Sequence, residues 1–389
     1  TDNFPLAQDT ATIENTGLNT SATVTLDSAI DYTGTVTMST RTNAMTLSFA
    51  VSYSIYGNWT NGSGTTISGA GALTFSGRNT QVITSAGKTI SGGANINSYG
   101  GSVELADALN IGTNTLTVTN GTFDTKSYNV TAGSLSSSNS NVRTITLGSS
   151  TLTLSGAVTF TTPTNLTLNS GTSQINISNA TQTFDGGGLT FYNVAYTRST
   201  NTSFAITGVN TFNNLTITPT GTGVFNCTLS ANQTISGTLD TSSASPVRRT
   251  FIRSDTLGTT RTLTVGTLSA TDCDFRDITI AGAAAGSSPT RAGDCGGNSG
   301  ITFPAAKTVY WNLAGTQNWS ATAWATSSGG APALNNFPLA QDTAVFDNTG
   351  AAGTISFQSW NIGTFDSSAL TAAATFTTGA NAPVVYGNW

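Results

Sequence analysis

The chain has 389 residues, of which 8 % are charged, with 13 Lys plus Arg, 18 Asp plus Glu, a net charge of −5 and no histidine. So few cations leave no basic stripe for a phosphate backbone, which argues against nucleic-acid binding. The missing histidine excludes Ser-His-Asp and Cys-His catalysis, and the lack of long apolar runs leaves no membrane span.

Apolar residues make up 37 % and are spread evenly, so a core can form along the whole length. Thr, Ser, Asn and Gly fill the polar positions, where a typical soluble protein carries about 25 % charge. Residue 1 is Thr, with no signal-peptide pattern before it, so the sequence reads as mature, trimmed or a fragment.

In chain order, residues 1–60 alternate polar and apolar, as in Ala22-Thr23-Val24-Thr25-Leu26, Thr35-Val36-Thr37-Met38 and Thr46-Leu47-Ser48-Phe49. Period two with β-branched residues predicts half-buried strands. Residues 60–290 continue as short strands every 8–12 residues, among them Ala72–Phe75, Thr115–Val118, Thr151–Leu154, Gln174–Ile177 and Asn214–Ile217. Gly, Asn and Ser clusters separate them, and no stretch has a helical period.

That spacing fits tandem antiparallel β-sandwiches or a parallel β-solenoid. The solenoid is preferred. Gly188–Val194 echoes Thr211–Ile217 about one coil later. Stacked coils also place like side chains about 4.8 Å apart, where Thr and Asn can bond to one another and like charges would repel. At roughly 20–25 residues per coil, residues 60–290 would form a rod on the order of 45–55 Å long.

The sequence also restarts. Residues 336–344 repeat residues 3–11 letter for letter, Asn-Phe-Pro-Leu-Ala-Gln-Asp-Thr-Ala. Tyr386-Gly387-Asn388-Trp389 answers Tyr56-Gly57-Asn58-Trp59. The expected organisation is therefore an end segment at 1–59, a solenoid body at 60–303, and a tryptophan-containing junction with the start of the next repeat at 304–389. The period is about 330 residues, too long for one coil and suited to tandem modules.

Residues 271–310 carry the densest charge and read as loop. Asp272, Asp274 and Asp294 are the only candidates for chemistry there. On a strand, Asp272 and Asp274 would share a face. They could serve as a glycosidase carboxylate pair, as weak Ca²⁺ ligands with Asp294, or as a solvated turn in which Arg276 pairs with Asp274 or Asp277. Cys273 and Cys295 could form a disulfide, with Cys227 left over; alternatively all three thiols are small buried apolar groups. Arg248-Arg249 reads as a loop pair. No cofactor is expected.

The pattern Tyr310-Trp311-Asn312, Asn318-Trp319-Ser320, Trp324, Pro338 and Asp342-Thr343-Ala344-Val345-Phe346 resembles a segment of large secreted β-helical repeat proteins. These are bacterial surface adhesins, autotransporter passengers and structural fibre proteins of marine phages. The resemblance implies an extracellular, cell-surface or virion-associated fibre and brings no catalytic residues. Trp311, Trp319, Trp324, Phe337, Pro338, Asp342 and Trp389 are then the expected module junction. The tryptophans either lock one module onto the next or offer a sugar-stacking platform. The expected partners are adjacent copies or repeats, head to tail, with cell-surface glycans as a further partner. The leading expectation is a structural fibre protein, and the alternative is a carbohydrate-binding or polysaccharide-degrading tailspike.

Overall fold

The computed structural model describes residues 5–18, 21–26, 32–178, 182–197, 203–221, 223–350, 353–378 and 382–389. Asn3 and Phe4, the first residues of the recurring stretch, lie outside them. The protein is all-β, a parallel β-solenoid of about 16 turns with 2 % helix. Two compact units divide the chain, Thr1–Ala195 and Tyr196–Trp389. Among the described pairings one is antiparallel, Trp311 with Trp324, which removes the tandem-sandwich alternative. No helix among the described residues is long and apolar enough to cross a membrane.

In the first unit, inward residues stack in columns. Val36 pairs with Trp59, Trp59 with Ile83 and Ile83 with Leu105, each step advancing one coil. Leu109, Val130, Leu152 and Ile175 form a second column, and Val24, Leu47 and Ile67 a third. Apart from Val24, these side chains are buried. Each contributes about 1.5–3 kcal/mol on removal from water.

Between the inward residues, hydroxyl and amide side chains point outward and bond along the stack. Ser102 Oγ donates to Thr80 Oγ1 at 3.0 Å, and Asn120 Nδ2 to Asn97 Oδ1 at 2.7 Å. One ladder runs Thr80, Ser102, Thr122, Thr144 and Thr167. Corners that turn sharply use glycine. Gly121 has φ +77°, and a Cβ there would strike the Ser98 carbonyl.

The second unit repeats the plan. Phe204, Cys227, Ile252 and Phe275 form one column, again one residue per coil. Residues 271–281, read as loop from their charge, instead contain the strands Cys273–Arg276 and Ile278–Ala281. The charge is compatible with strand because arginines on the coils to either side neutralise it.

Candidate functional site

The charged cluster is built from three consecutive coils. Arg249 lies on the strand Arg248–Ser254, which pairs with Cys273–Arg276 so that Thr250 meets Cys273. That register aligns Arg249 with Asp272 and puts Asp274 within reach. Arg249 Nε and Nη2 donate to Asp274 Oδ1 at 2.9 and 2.6 Å. Arg291 Nε and Nη2 fork onto the two Asp272 oxygens at 2.7 and 2.6 Å. Both aspartates are fully buried. Burial works against the charge of Arg249, but Asp274 and Asp272 outweigh it and hold its pKa above the ordinary value. Arg291 is raised likewise, chiefly by its hydrogen bonds to Asp272.

This arrangement corrects four expectations. The carboxylates do not form a solvated turn, and neither reaches solvent to meet a polysaccharide. Arg276 does lie 3.3 Å from Asp277, as one reading had it. No group of acidic, Cys or His side chains that could hold a metal occurs among the described residues. The candidate calcium ligands are otherwise engaged, with Asp294 Oδ1 accepting from Gly296 N and Asn298 Nδ2. Arg249 is a buried strand residue, not half of a loop pair.

The three cysteines are free and buried. Phe275 pairs with Asp294, so Cys295 falls beside Arg276, three positions along the strand from Cys273. That is about 10 Å, too far for a disulfide. The thiols serve as small apolar groups, and burial pushes Cys227 and Cys273 up to about 12.

The cluster is tied to the recurring segment. Asn361 Nδ2 donates to Asp274 Oδ2 at 2.8 Å. Gln341 accepts from Asp294 N at 2.9 Å and donates to the carbonyls of Ala292 and Pro304 at 3.1 and 3.2 Å. Asp342 accepts from Lys307 N at 3.0 Å and from Leu339 N at 2.9 Å. Its burial raises its pKa against those bonds. The strand Thr308–Trp311 adds in parallel to Thr343–Val345. Above it Trp311 stacks on Phe346 at 5.4 Å, and Trp319 lies 4.6 Å from Trp324 and 5.0 Å from Phe357. Trp311, Trp319, Trp324, Phe337 and Pro338 are buried. The tryptophans are therefore core and not a platform open to sugars. Arg291, Gln341 and Asn361 carry no signal of this role in the sequence, and Arg249 reads there only as half of a loop pair; a coil-by-coil register is what finds them.

The two copies of the recurring segment fold alike. Thr10 pairs with Thr35 and Thr343 with Thr364; Val24 pairs with Leu47 and Ile355 with Phe376; Thr33 pairs with Ile55 and Ile362 with Val385. The Leu6–Asp9 turn closes at 2.8 Å as the Leu339–Asp342 turn does at 2.9 Å. Their surroundings are opposite. Leu339 is 3 % exposed and Leu6 51 %; Trp59 is fully buried and Trp389 is 69 % exposed.

No family model, curated protein or solved structure matches this chain. The class that the fold defines is a β-solenoid, here with a buried tryptophan cluster beside buried ion pairs.

Proposed function

We propose that the protein is a structural fibre protein, in which long solenoid repeats are joined end to end. Its setting is extracellular, on a cell surface or a virion. One observation carries the reading. The recurring segment is two-sided, and each copy has a different side covered. At 336–389 its leading side is covered by residues 292–334. At 5–59 its trailing side is covered by the coil that buries Trp59 against Ile83. Joining the two views gives a seam that repeats without closing, which is the geometry of a filament. The weakly charged, hydroxyl-rich surface supports an exposed, non-enzymatic role. The test is electron microscopy of a chain carrying four repeats. Filaments that lengthen in proportion to repeat number are expected, and compact particles of unchanged length would sink the proposal.

A second reading, glycan binding, has one observation in its favour. A groove of about 340 Å³ lies between Tyr99, Gly101, Gly121 and Val142 in the first unit. Tyr99 is exposed there, with the Arg78 guanidinium 5.5 Å from its ring centre. An open aromatic ring beside hydroxyls suits a sugar face. Tyr99→Ala should abolish any signal on a glycan array, and a silent array for the unaltered protein would remove this reading.

A further inference from the structure

We infer that the face made by Leu6, Ala7, Gln8, Asp9 and the strand Thr10–Thr12 is a docking surface for a second copy of residues 292–335, supplied by another repeat of the same chain. The inference rests on the fibre reading only for the identity of the repeat.

The seam within the second unit supplies the pattern. There Gln341 clamps the backbone at Ala292, Asp294 and Pro304, Asp342 takes the Lys307 amide, and a strand is added beside Thr343–Val345. Residues 5–11 are identical to 338–344. Their backbone is held by the same bonds: Asp9 N to Leu6 O and Asp342 N to Leu339 O are both 3.0 Å. Gln8 therefore stands where Gln341 stands, but exposed. A primary amide with three ready partners in one copy, and none among the described residues covering it in the other, marks the missing partner's chemistry. It is a solenoid end presenting two carbonyls and one amide, followed by an extended strand.

The two faces differ in bulk. The ladder register places Ile13 where Phe346 stands and Leu26 where Phe357 stands. Trp311 and Trp319 lie against those two phenylalanines, so the first face keeps the polar clamp with less ring contact. The source is a repeat of the same chain because residues 292–335 of any one copy are already committed. Their tryptophans are buried on their own 336–389 segment, and a second molecule would have to strip them off.

The test joins residues 1–335 directly to residues 3–389, giving two repeats, and places Leu6→Cys in either one. Leu6 is exposed in the first repeat, and in the second Cys puts a smaller apolar group where Leu339 is buried; the six native thiols, three per repeat, are buried and silent to maleimide. Labelling in the second repeat should be about tenfold slower or more than in the first, since docking must open before reaction. Adding Gln8→Ala in the second repeat should restore much of the rate, and Ile13→Phe with Leu26→Phe should slow it further. Equal rates in the two repeats would overturn the inference. So would protection in the single-repeat chain that grows with protein concentration, because the partner would then be a second molecule. Labelling of native thiols marks a misfolded fusion. In that case amide exchange in the single-repeat chain decides, with fast exchange at residues 9–13 and slow exchange at 342–346 expected, and equal exchange overturning. Protected labelling without filaments in longer arrays would leave docking standing and remove the fibre reading alone.

Discussion

Arg249 holds more of the second unit together than its neighbour Arg248 gives reason to expect. Its guanidinium meets Asp274 in full burial, and Asp274 in turn holds Asn361. Removing one partner of a buried pair leaves an uncompensated charge. Arg249→Met should therefore cost about 3–5 kcal/mol in urea unfolding, and Arg249→Met with Asp274→Leu much less, since a hydrophobic pair restores balance. A loss under about 1 kcal/mol would mean that water reaches the site. The thiols give a second prediction. Cys227 and Cys273 are pushed by burial from 9.0 to about 12. Between these values the unfolded chain has released the thiol protons and the folded chain has not. Unfolding then releases protons, so stability falls as pH rises above 9 and is untouched by these groups below it. Urea titrations from about pH 8 to 10.5 should show a slope of up to about 1.4 kcal/mol per unit per thiol, shallower in Cys227→Val.

At the scale of strands and corners, the alternating Thr pattern was legible because a parallel ladder tolerates little else. Val24, Val36, Leu47 and Leu116 fell where their period placed them. The recurrence was legible for the same reason, and its two copies share even their steric exclusions. A Cβ on Gly34 would strike the Asp9 carbonyl, and one on Gly363 the Asp342 carbonyl. What sequence could not show was pairing across coils. Residues 271–281 looked like loop because Asp272, Asp274 and Asp277 lie close together in sequence, while Arg249 and Arg291, which neutralise two of them, come from the coils on either side. The tryptophan spacing sets residues 309–346 apart from the strands before them, but whether the rings face sugar or core depends on Phe346 and Phe357 closing over them. Two predictions belong here. Gly363→Ala should cost about 1–3 kcal/mol, because strand backbones there have no room to part. Trp319→Ala should cost about 3–5 kcal/mol by opening a cavity among Trp324, Phe346 and Phe357. Near-UV circular dichroism with denaturant unfolding checks both, and an unchanged aromatic signal in Trp319→Ala would contradict the packed cluster.

For the whole molecule, the low charge content sets how it responds to its medium. Exposed ion pairs are sparse; Arg261 with Asp255 and Lys126 with Glu104 are examples, at 2.9 and 3.7 Å. Pairs of that kind contribute about 0–1 kcal/mol each and are screened by salt. The ion pairs that matter structurally, Arg249 with Asp274 and Arg291 with Asp272, involve carboxylates closed off from solvent and are screened far less. Stability comes instead from apolar columns and from backbone ladders capped by neutral hydroxyl and amide chains, neither of which responds to moderate sodium chloride. A protein whose surface cohesion came from charge would shift strongly over the same range. Scanning calorimetry between about 0.05 and 1 M NaCl should therefore move the midpoint by less than about 3 °C, the equivalent of roughly 1 kcal/mol for a domain of this size. A shift of about 10 °C or more would place the dominant cohesion on the surface charges and displace the ladder account. A small shift that becomes large in Asn361→Ala would show that the buried pair had been opened to solvent, locating the salt sensitivity at the seam.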